Sequence, residues 1–185
     1  MKNKSKMAYR RTILGLITAA SVFAFITLMG QLSLSSDDLS DRDKGQKIED
    51  MYNGDKEQFP GVRDISAEKV MTLMAAGNAV LIDIREPREQ QISMLPGAIT
   101  EKEFIHDAAK YKDAVKIAYC TIGYRSGKFA QKLQKQGIPV VNLRGGILAW
   151  VHDGGKVYDQ NGETHRIHVY GRKWNLGPKR YQAVW

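Results

Sequence analysis

Three short apolar runs, each set between stretches of helical periodicity, restrict this chain to a small set of folds. The runs are AVLIDI at 79–84, VKIAY at 115–119 and PVVNL at 139–143. Each is short and nearly continuous, so each reads as a strand buried on both faces. Before the first run, Val70, Leu73 and Met74 recur at helical spacing, with Ser66 placed to cap the helix and Gly77 to stop it. Residues 101–111 put Phe104, Ile105 and Ala108 on one helical face. Residues 125–136 turn Phe129, Ala130 and Leu133 inward, with Lys128, Lys132 and Lys135 on the opposite face and Gly137 at the end. RGGILAWVHDGG, after the third run, reads as a turn into a last short helix in which Trp150 packs onto the sheet. Strands alternating with helices imply an α/β fold: a parallel sheet flanked by helices, joined by right-handed crossovers. In such sheets ligands meet the carboxyl ends of the strands. Asp83 and Cys120 lie at two of those ends.

The globular pattern begins near Gly61, and what precedes it is different in kind. From Thr12 to Ser36 there is no charged residue, and ILGLITAASVFAFITLMGQLSL runs for 22 residues. As a helix it would span about 33 Å, enough for a bilayer core of about 30 Å. Lys2, Lys4, Lys6, Arg10 and Arg11 precede it, whereas residues 37–60 carry eight acids against four bases. That asymmetry predicts residues 1–11 in the cytoplasm, 12–34 as one transmembrane helix, and the remainder exported to a periplasmic or other extracytoplasmic space. A cleaved signal peptide, releasing a secreted form, is the competing reading; its apolar region is usually shorter, and no A-x-A site follows here. Residues 35–60 are polar and read as a linker with a helical turn near Ile48–Tyr52. The domain proper is expected over 61–157, followed by an extension over 158–185. In that extension Asn161-Gly162 suggests a hairpin, with Val157 and Tyr158 pairing with some of Ile167, Val169 and Tyr170. Its aromatic and basic residues suit either a strap on the domain or a surface for a partner or membrane.

Cys120 is the sole cysteine, so the sequence contains no internal disulfide and no cysteine-rich zinc site. The formal net charge of +8 is spread along the chain, which argues against a nucleic-acid interface. The four histidines lie far from Cys120 in sequence; His165 and His168 would point to opposite faces of a strand and make a poor metal pair.

The chemistry therefore centres on YCTIGYRSGKF. A strand-to-helix turn aims successive backbone N–H groups into one small space, and the helix N-terminus adds partial positive charge. Such a nest favours an anion, and the anionic thiolate is the form in which cysteine attacks. Gly123 lets the turn bend, Arg125 supplies a positive charge and Ser126 a hydroxyl. A buried structural cysteine is the bland alternative, but a packing residue has no need of a Gly-x-Arg-Ser loop after it.

Cys120–Thr121–Ile122–Gly123–Tyr124–Arg125–Ser126 resembles the active-site loop of rhodanese-type sulfurtransferases. LIDIREPREQQISMLPGAI resembles their upstream signature, D-x-R-x-x-x-E followed by x-G-A, and GIPVVNLRGGILAW their C-terminal one. The resemblance covers about 95 residues with the signatures in the family's order. It implies the rhodanese-like parallel sheet and thiosulfate sulfurtransferase-like chemistry. Cys120 would accept sulfane sulfur from a small donor such as thiosulfate and pass it, as a persulfide, to cyanide, a thiol or a protein thiol. By the same resemblance the backbone from Thr121 through Ile122, Gly123, Tyr124 and Arg125 to Ser126 would cradle the persulfide, and Arg125 would hold an anionic donor. Asp83, Arg85 and Glu89 would give structural support, with neither metal nor organic cofactor. Four residues separate Cys120 from Arg125. A related phosphatase group has five, so the shorter loop favours sulfur over phosphoryl transfer. Ser93 and Met94 stand where many relatives have Gly-His, and Tyr124 is bulky enough to shape the pocket. The second reading is a rhodanese-like module that binds a partner or senses redox state with little turnover.

Overall fold

The computed structural model describes residues 39–185. The expected membrane segment at 12–34 and its basic flank lie outside the described residues. Among the described residues no helix is long and apolar enough to cross a membrane.

Five strands make one all-parallel sheet: β1 (Asp64–Ile65), β2 (Ala79–Asp83), β3 (Ile99–Thr100), β4 (Val115–Tyr119) and β5 (Val141–Leu143), in the order β1-β5-β4-β2-β3. The three apolar runs supply its three central strands. Side-chain alternation divides them between two cores: Leu81, Ile117, Tyr119 and Leu143 join one, while Ile82 and Ala118 join the other. Lys116 is the polar exception in β4. Its ammonium turns back to the carbonyls of Lys112 and Ala114, both at 3.1 Å, so its charge stays out of the core.

Helix α1 (Asp41–Lys56) packs against both α5 (Tyr124–Gln134) and α6 (Gly146–His152), while α2 (Ala67–Ala75) packs on β2 and α6. Between β2 and β4 come the single turn α3 (Pro87–Gln90), β3 and α4 (Glu101–His106). Ser66 stands at the N-cap of α2 but its side chain makes no capping bond, whereas Thr100 and Glu103 form a reciprocal capping box at the start of α4. The expected helix over 101–111 breaks into α4 and a 3-10 turn at Ala108–Tyr111. That break leaves Ile105 exposed instead of beside buried Phe104.

Two expectations are corrected. Residues 41–56, read as linker, form α1. Ser40 caps it by accepting from the Asp43 N–H at 3.1 Å, and Ile48 and Tyr52, four apart, are buried together. Met51 is its one other large apolar side chain, so the apolar stripe is too narrow to announce itself. The hairpin at Asn161-Gly162 does form, but as β6 (Val157–Asp159) with β7 (Gly162–Thr164): Val157 faces Thr164 and Tyr158 faces Glu163. Ile167 belongs to β8 (Arg166–His168), which pairs in parallel with β9 (Gln182–Val184). A two-residue turn closes the hairpin at once, leaving the next segment free to run across the domain.

Candidate active site

The chain passes from β2 to β3 on one side and from β4 to β5 on the other. The connections thus diverge at the β2/β4 junction, where a crevice opens beyond the carboxyl ends. Asp83 closes β2 and Cys120 follows β4, so both land at this edge.

Cys120 sits at the bottom of a turn built by glycines. Gly123 adopts φ +100° at the N-cap of α5, a conformation costly for other residues, and its N–H donates to Cys120 Sγ at 3.2 Å. The Ser126 hydroxyl donates to the same sulfur at 3.5 Å. From below, the N–H groups of Ile147 and Leu148 donate to the carbonyls of Cys120 and Thr121 at 2.9 and 3.2 Å. This contact needs Gly146: at φ +58°, a Cβ there would lie 2.4 Å from the Cys120 oxygen. The Gly145-Gly146 pair thus lets the start of α6 grip the cysteine turn, which no reading of either segment alone reveals.

Two further residues hold the turn. Buried Asn142 on β5 donates to the Gly123 carbonyl at 2.9 Å and to the Tyr52 hydroxyl at 3.2 Å. Tyr52 donates in turn to Asp64 at 3.2 Å. Burial and the Asp64 carboxylate push the Tyr52 phenol well up, so it stays protonated. The sequence marked Tyr52 only as one end of a helical turn within apparent linker, with nothing to tie it to the site. Asn142 was visible only as a polar residue in an apolar strand, a position that demands hydrogen-bond partners.

The charged residues form two knots. Asp83 and Arg85 are fully buried as a pair at 2.7 Å. Arg85 also donates to the Ser93 carbonyl at 2.6 Å, and the Tyr119 hydroxyl donates to Asp83 at 2.6 Å and accepts from the Leu95 N–H at 3.1 Å. This knot ties β2, β4 and the 93–95 segment together behind the site. Burial works against the Arg85 charge, but Asp83 outweighs it and holds the guanidinium protonated.

The second knot holds Arg125. Its Nη1 and Nη2 donate to the Glu89 carboxylate at 2.6 and 2.7 Å, and Nη2 also reaches the Thr121 hydroxyl at 3.1 Å. Thr121 therefore serves this knot with its side chain. Burial pushes the Glu89 carboxyl up, but the Arg125 hydrogen bond, the Glu86 N–H and the positive charges of Arg125 and Arg85 bring it down to about 2. Burial likewise opposes the Arg125 charge, and Glu89 and the nearby Cys120 sulfur together raise its pKa. His168, distant in sequence, lies buried with Nδ1 3.8 Å from Glu89. Burial lowers its pKa, and Nδ1 accepts the Tyr170 N–H at 3.1 Å, so the ring is neutral.

Above the sulfur is a cavity of about 370 Å³, with Cys120, Thr121, Ile122 and Arg125 along its base. Tyr124 forms one side, its hydroxyl on the Gln58 side-chain oxygen at 3.2 Å. The strap contributes Tyr170 and Trp174. Cys120 is only 1% exposed, yet it lines this cavity: access to it runs through the cavity. All the expected site residues gather at one sheet edge. Arg125 differs from expectation in being already paired.

Known proteins resemble this chain. The rhodanese-like domain family profile matches residues 66–153. A protein named sulfurtransferase from Allochromatium vinosum is 35% identical over 98 residues, which are 50% of this chain and 92% of that one. YtwF of Bacillus subtilis, which also carries a sulfurtransferase name, is 32% identical over 97 residues, 48% of this chain and 90% of that protein. Among solved structures, a thiosulfate sulfurtransferase from Pseudomonas aeruginosa superposes with a TM-score of 0.50 at 26% identity, covering 60% of this chain and 23% of that one.

Proposed function

The chain belongs to the rhodanese-like domain family, and from that premise we propose that it transfers sulfane sulfur through a persulfide on Cys120. The observation that carries this reading is the Gly123 N–H aimed at Cys120 Sγ at 3.2 Å, at the base of a cavity. A structural cysteine has no use for a hydrogen-bond donor and a route to solvent.

In this reading the Cys120 thiolate attacks the outer sulfur of a donor such as thiosulfate. The new S–S bond forms as the donor's S–S bond breaks, and sulfite leaves with the electron pair. The negative charge then resides on the outer sulfur of the persulfide. The amides that follow Cys120, with the positive end of α5 behind them, suit that charge. A thiol or cyanide acceptor removes the outer sulfur and regenerates the thiolate. The reaction draws on no metal or organic cofactor. Asp83, Arg85 and Glu89 act by fixing the loops that surround the sulfur.

Residues 12–34 support a further part of the proposal, a membrane anchor with the catalytic domain on the extracytoplasmic side. Its support is the uncharged apolar span after a basic flank. Carbonate-resistant membrane association of the full chain, with the domain open to protease from the outer side only, is the expected result.

The test of the activity is intact mass after incubation with a sulfur donor. Gain of one sulfur, mapped to Cys120 and discharged by cyanide, is expected; Cys120→Ser should gain none. Failure to load Cys120 from any donor, together with a stable partner complex, would favour the binding-module reading instead.

A further inference from the structure

The cavity over Cys120 is larger and more aromatic than the family-matched residues alone would make it. Residues 66–153 supply its base and Tyr124. Its outer wall comes from both sides of that stretch: Asp55 in the last turn of α1 and Gln58 just beyond it, and Tyr170 and Trp174 from the strap. At about 30 Å³ per water-sized group, 370 Å³ has room for about twelve such groups, more than twice the five heavy atoms of thiosulfate.

Tyr170 is held in place at a cost. It is the one non-glycine residue with positive φ, at 69°, among the described residues. A tyrosine in that region is strained. Its N–H on His168 Nδ1 and its ring against the Arg125 guanidinium, 5.5 Å from centroid to Cζ, hold it there. The ring consequently covers one face of the cation that an inorganic anion would seek. The two terminal nitrogens of that cation are committed to Glu89. Arg125 is the cationic side chain among the described residues that line the cavity, and Asp55 brings a carboxylate to the same wall. A dianion meets a compensated charge here, whereas an aromatic ring meets aromatic surface.

Resting on the sulfurtransferase reading, we infer that the strap makes this cavity selective for an organic sulfane-sulfur donor with an aryl group and a single negative charge, an aryl thiosulfonate, over inorganic thiosulfate. The Cys120 thiolate attacks the terminal sulfur of the thiosulfonate. The Cys120–sulfur bond forms, the donor's S–S bond breaks, and its electron pair departs with the aryl sulfinate. Two negative charges enter and two remain, on persulfide and sulfinate, so no outside oxidant or reductant takes part.

The experiment uses the full chain in detergent, with benzenethiosulfonate and thiosulfate as donors and cyanide as acceptor, and reads kcat/KM together with the intact mass of Cys120. Benzenethiosulfonate should exceed thiosulfate by about tenfold in kcat/KM, the scale set by one or two good aromatic contacts. Tyr170→Ala and Trp174→Ala should each lower that ratio several-fold, chiefly through the KM of the aryl donor. Tyr170→Phe, which keeps the ring, should retain the ratio. Equal kcat/KM for the two donors in the unsubstituted chain overturns the inference while leaving sulfur transfer intact. A parallel fall for both donors in the alanine variants also overturns it, since the strap would then only support the fold. Absence of sulfur on Cys120 with either donor overturns the inference and the sulfurtransferase reading together.

Discussion

Both terminal nitrogens of Arg125 are bound by the carboxylate of Glu89, at 2.6 and 2.7 Å, while the same guanidinium lies against the ring of Tyr170. Glu89 is itself fully buried. The charge expected to receive a donor anion is thus balanced before any donor arrives. Glu89→Gln keeps the shape and removes that balance. Breaking a wholly buried pair costs about 3–5 kcal/mol; the Arg125 side chain keeps 29% exposure, so a loss of about 2 kcal/mol is expected, read from urea unfolding. The released guanidinium should lower the KM for thiosulfate several-fold. An unchanged thiosulfate KM in a folded variant would mean that Arg125 does not meet the donor.

Acid should weaken this site in two steps. The Glu89 pKa is about 2 in the folded chain against an ordinary value of 4.5. A lowered carboxyl stabilises the fold above the higher of these values, and that contribution disappears as pH falls from 4.5 toward 2, at a total of about 3 kcal/mol. His168 is also lowered, by burial. As the pH falls below the ordinary histidine value of about 6.5, the unfolded chain takes up a proton that the folded chain resists. Stability contributed by neutral His168 is thus present above that value and lost below it. The melting temperature should begin to fall below about pH 6.5 and fall further below pH 4.5. His168→Asn, which can still accept the Tyr170 N–H, should remove the first decline and keep the second.

Gly146 tests the grip of α6 on the cysteine turn. Gly146→Ala places a Cβ 2.4 Å from the Cys120 carbonyl oxygen and imposes φ +58° on a residue that resists it. The backbone conformation alone costs about 1–2 kcal/mol, and the clash displaces the turn. Expected are a lower urea midpoint, by at least about 2 kcal/mol in stability, and sulfur loading of Cys120 slowed by an order of magnitude or more. Gly154→Ala, with nothing within 4 Å of the added Cβ, is the comparison: it carries the positive-φ cost without the clash.

The hydroxyl of Tyr52 links α1 to the same turn through Asn142. Tyr52→Phe leaves the ring packed but deprives Asn142 of one acceptor and Asp64 of one donor. A loss of about 1–2 kcal/mol is expected in equilibrium unfolding. Amide exchange at Gly123 should quicken as its neighbour loosens. Protection unchanged at Gly123 would show that α1 packs against the turn without steadying it.

The central strands were legible because a strand buried on both faces has little freedom in composition: AVLID and VKIAY announce themselves. The glycine turns at 123 and 145–146 were legible for a related reason, since few residues tolerate their backbone. Helix α1 was not. Its buried face rests on Ile48, Tyr52 and the stem of Lys44, set among polar residues that its exposed surface requires. Nor could spacing reveal that His168 and Tyr170 come back to a cysteine some fifty residues earlier, because the route of a strap depends on which surface it finds uncovered. Arg125 was expected at the site from its place in the cysteine loop. Its engagement by Glu89 depends on the direction taken by the short α3 turn, which a one-dimensional pattern does not specify.

The outer wall of the cavity is assembled from segments on either side of residues 66–153. A fragment trimmed to the recognisable domain would keep Cys120 and shed the Asp55, Gln58, Tyr170 and Trp174 wall of its cavity. On the proposed selectivity, kinship and preference are encoded in separate parts of the polypeptide.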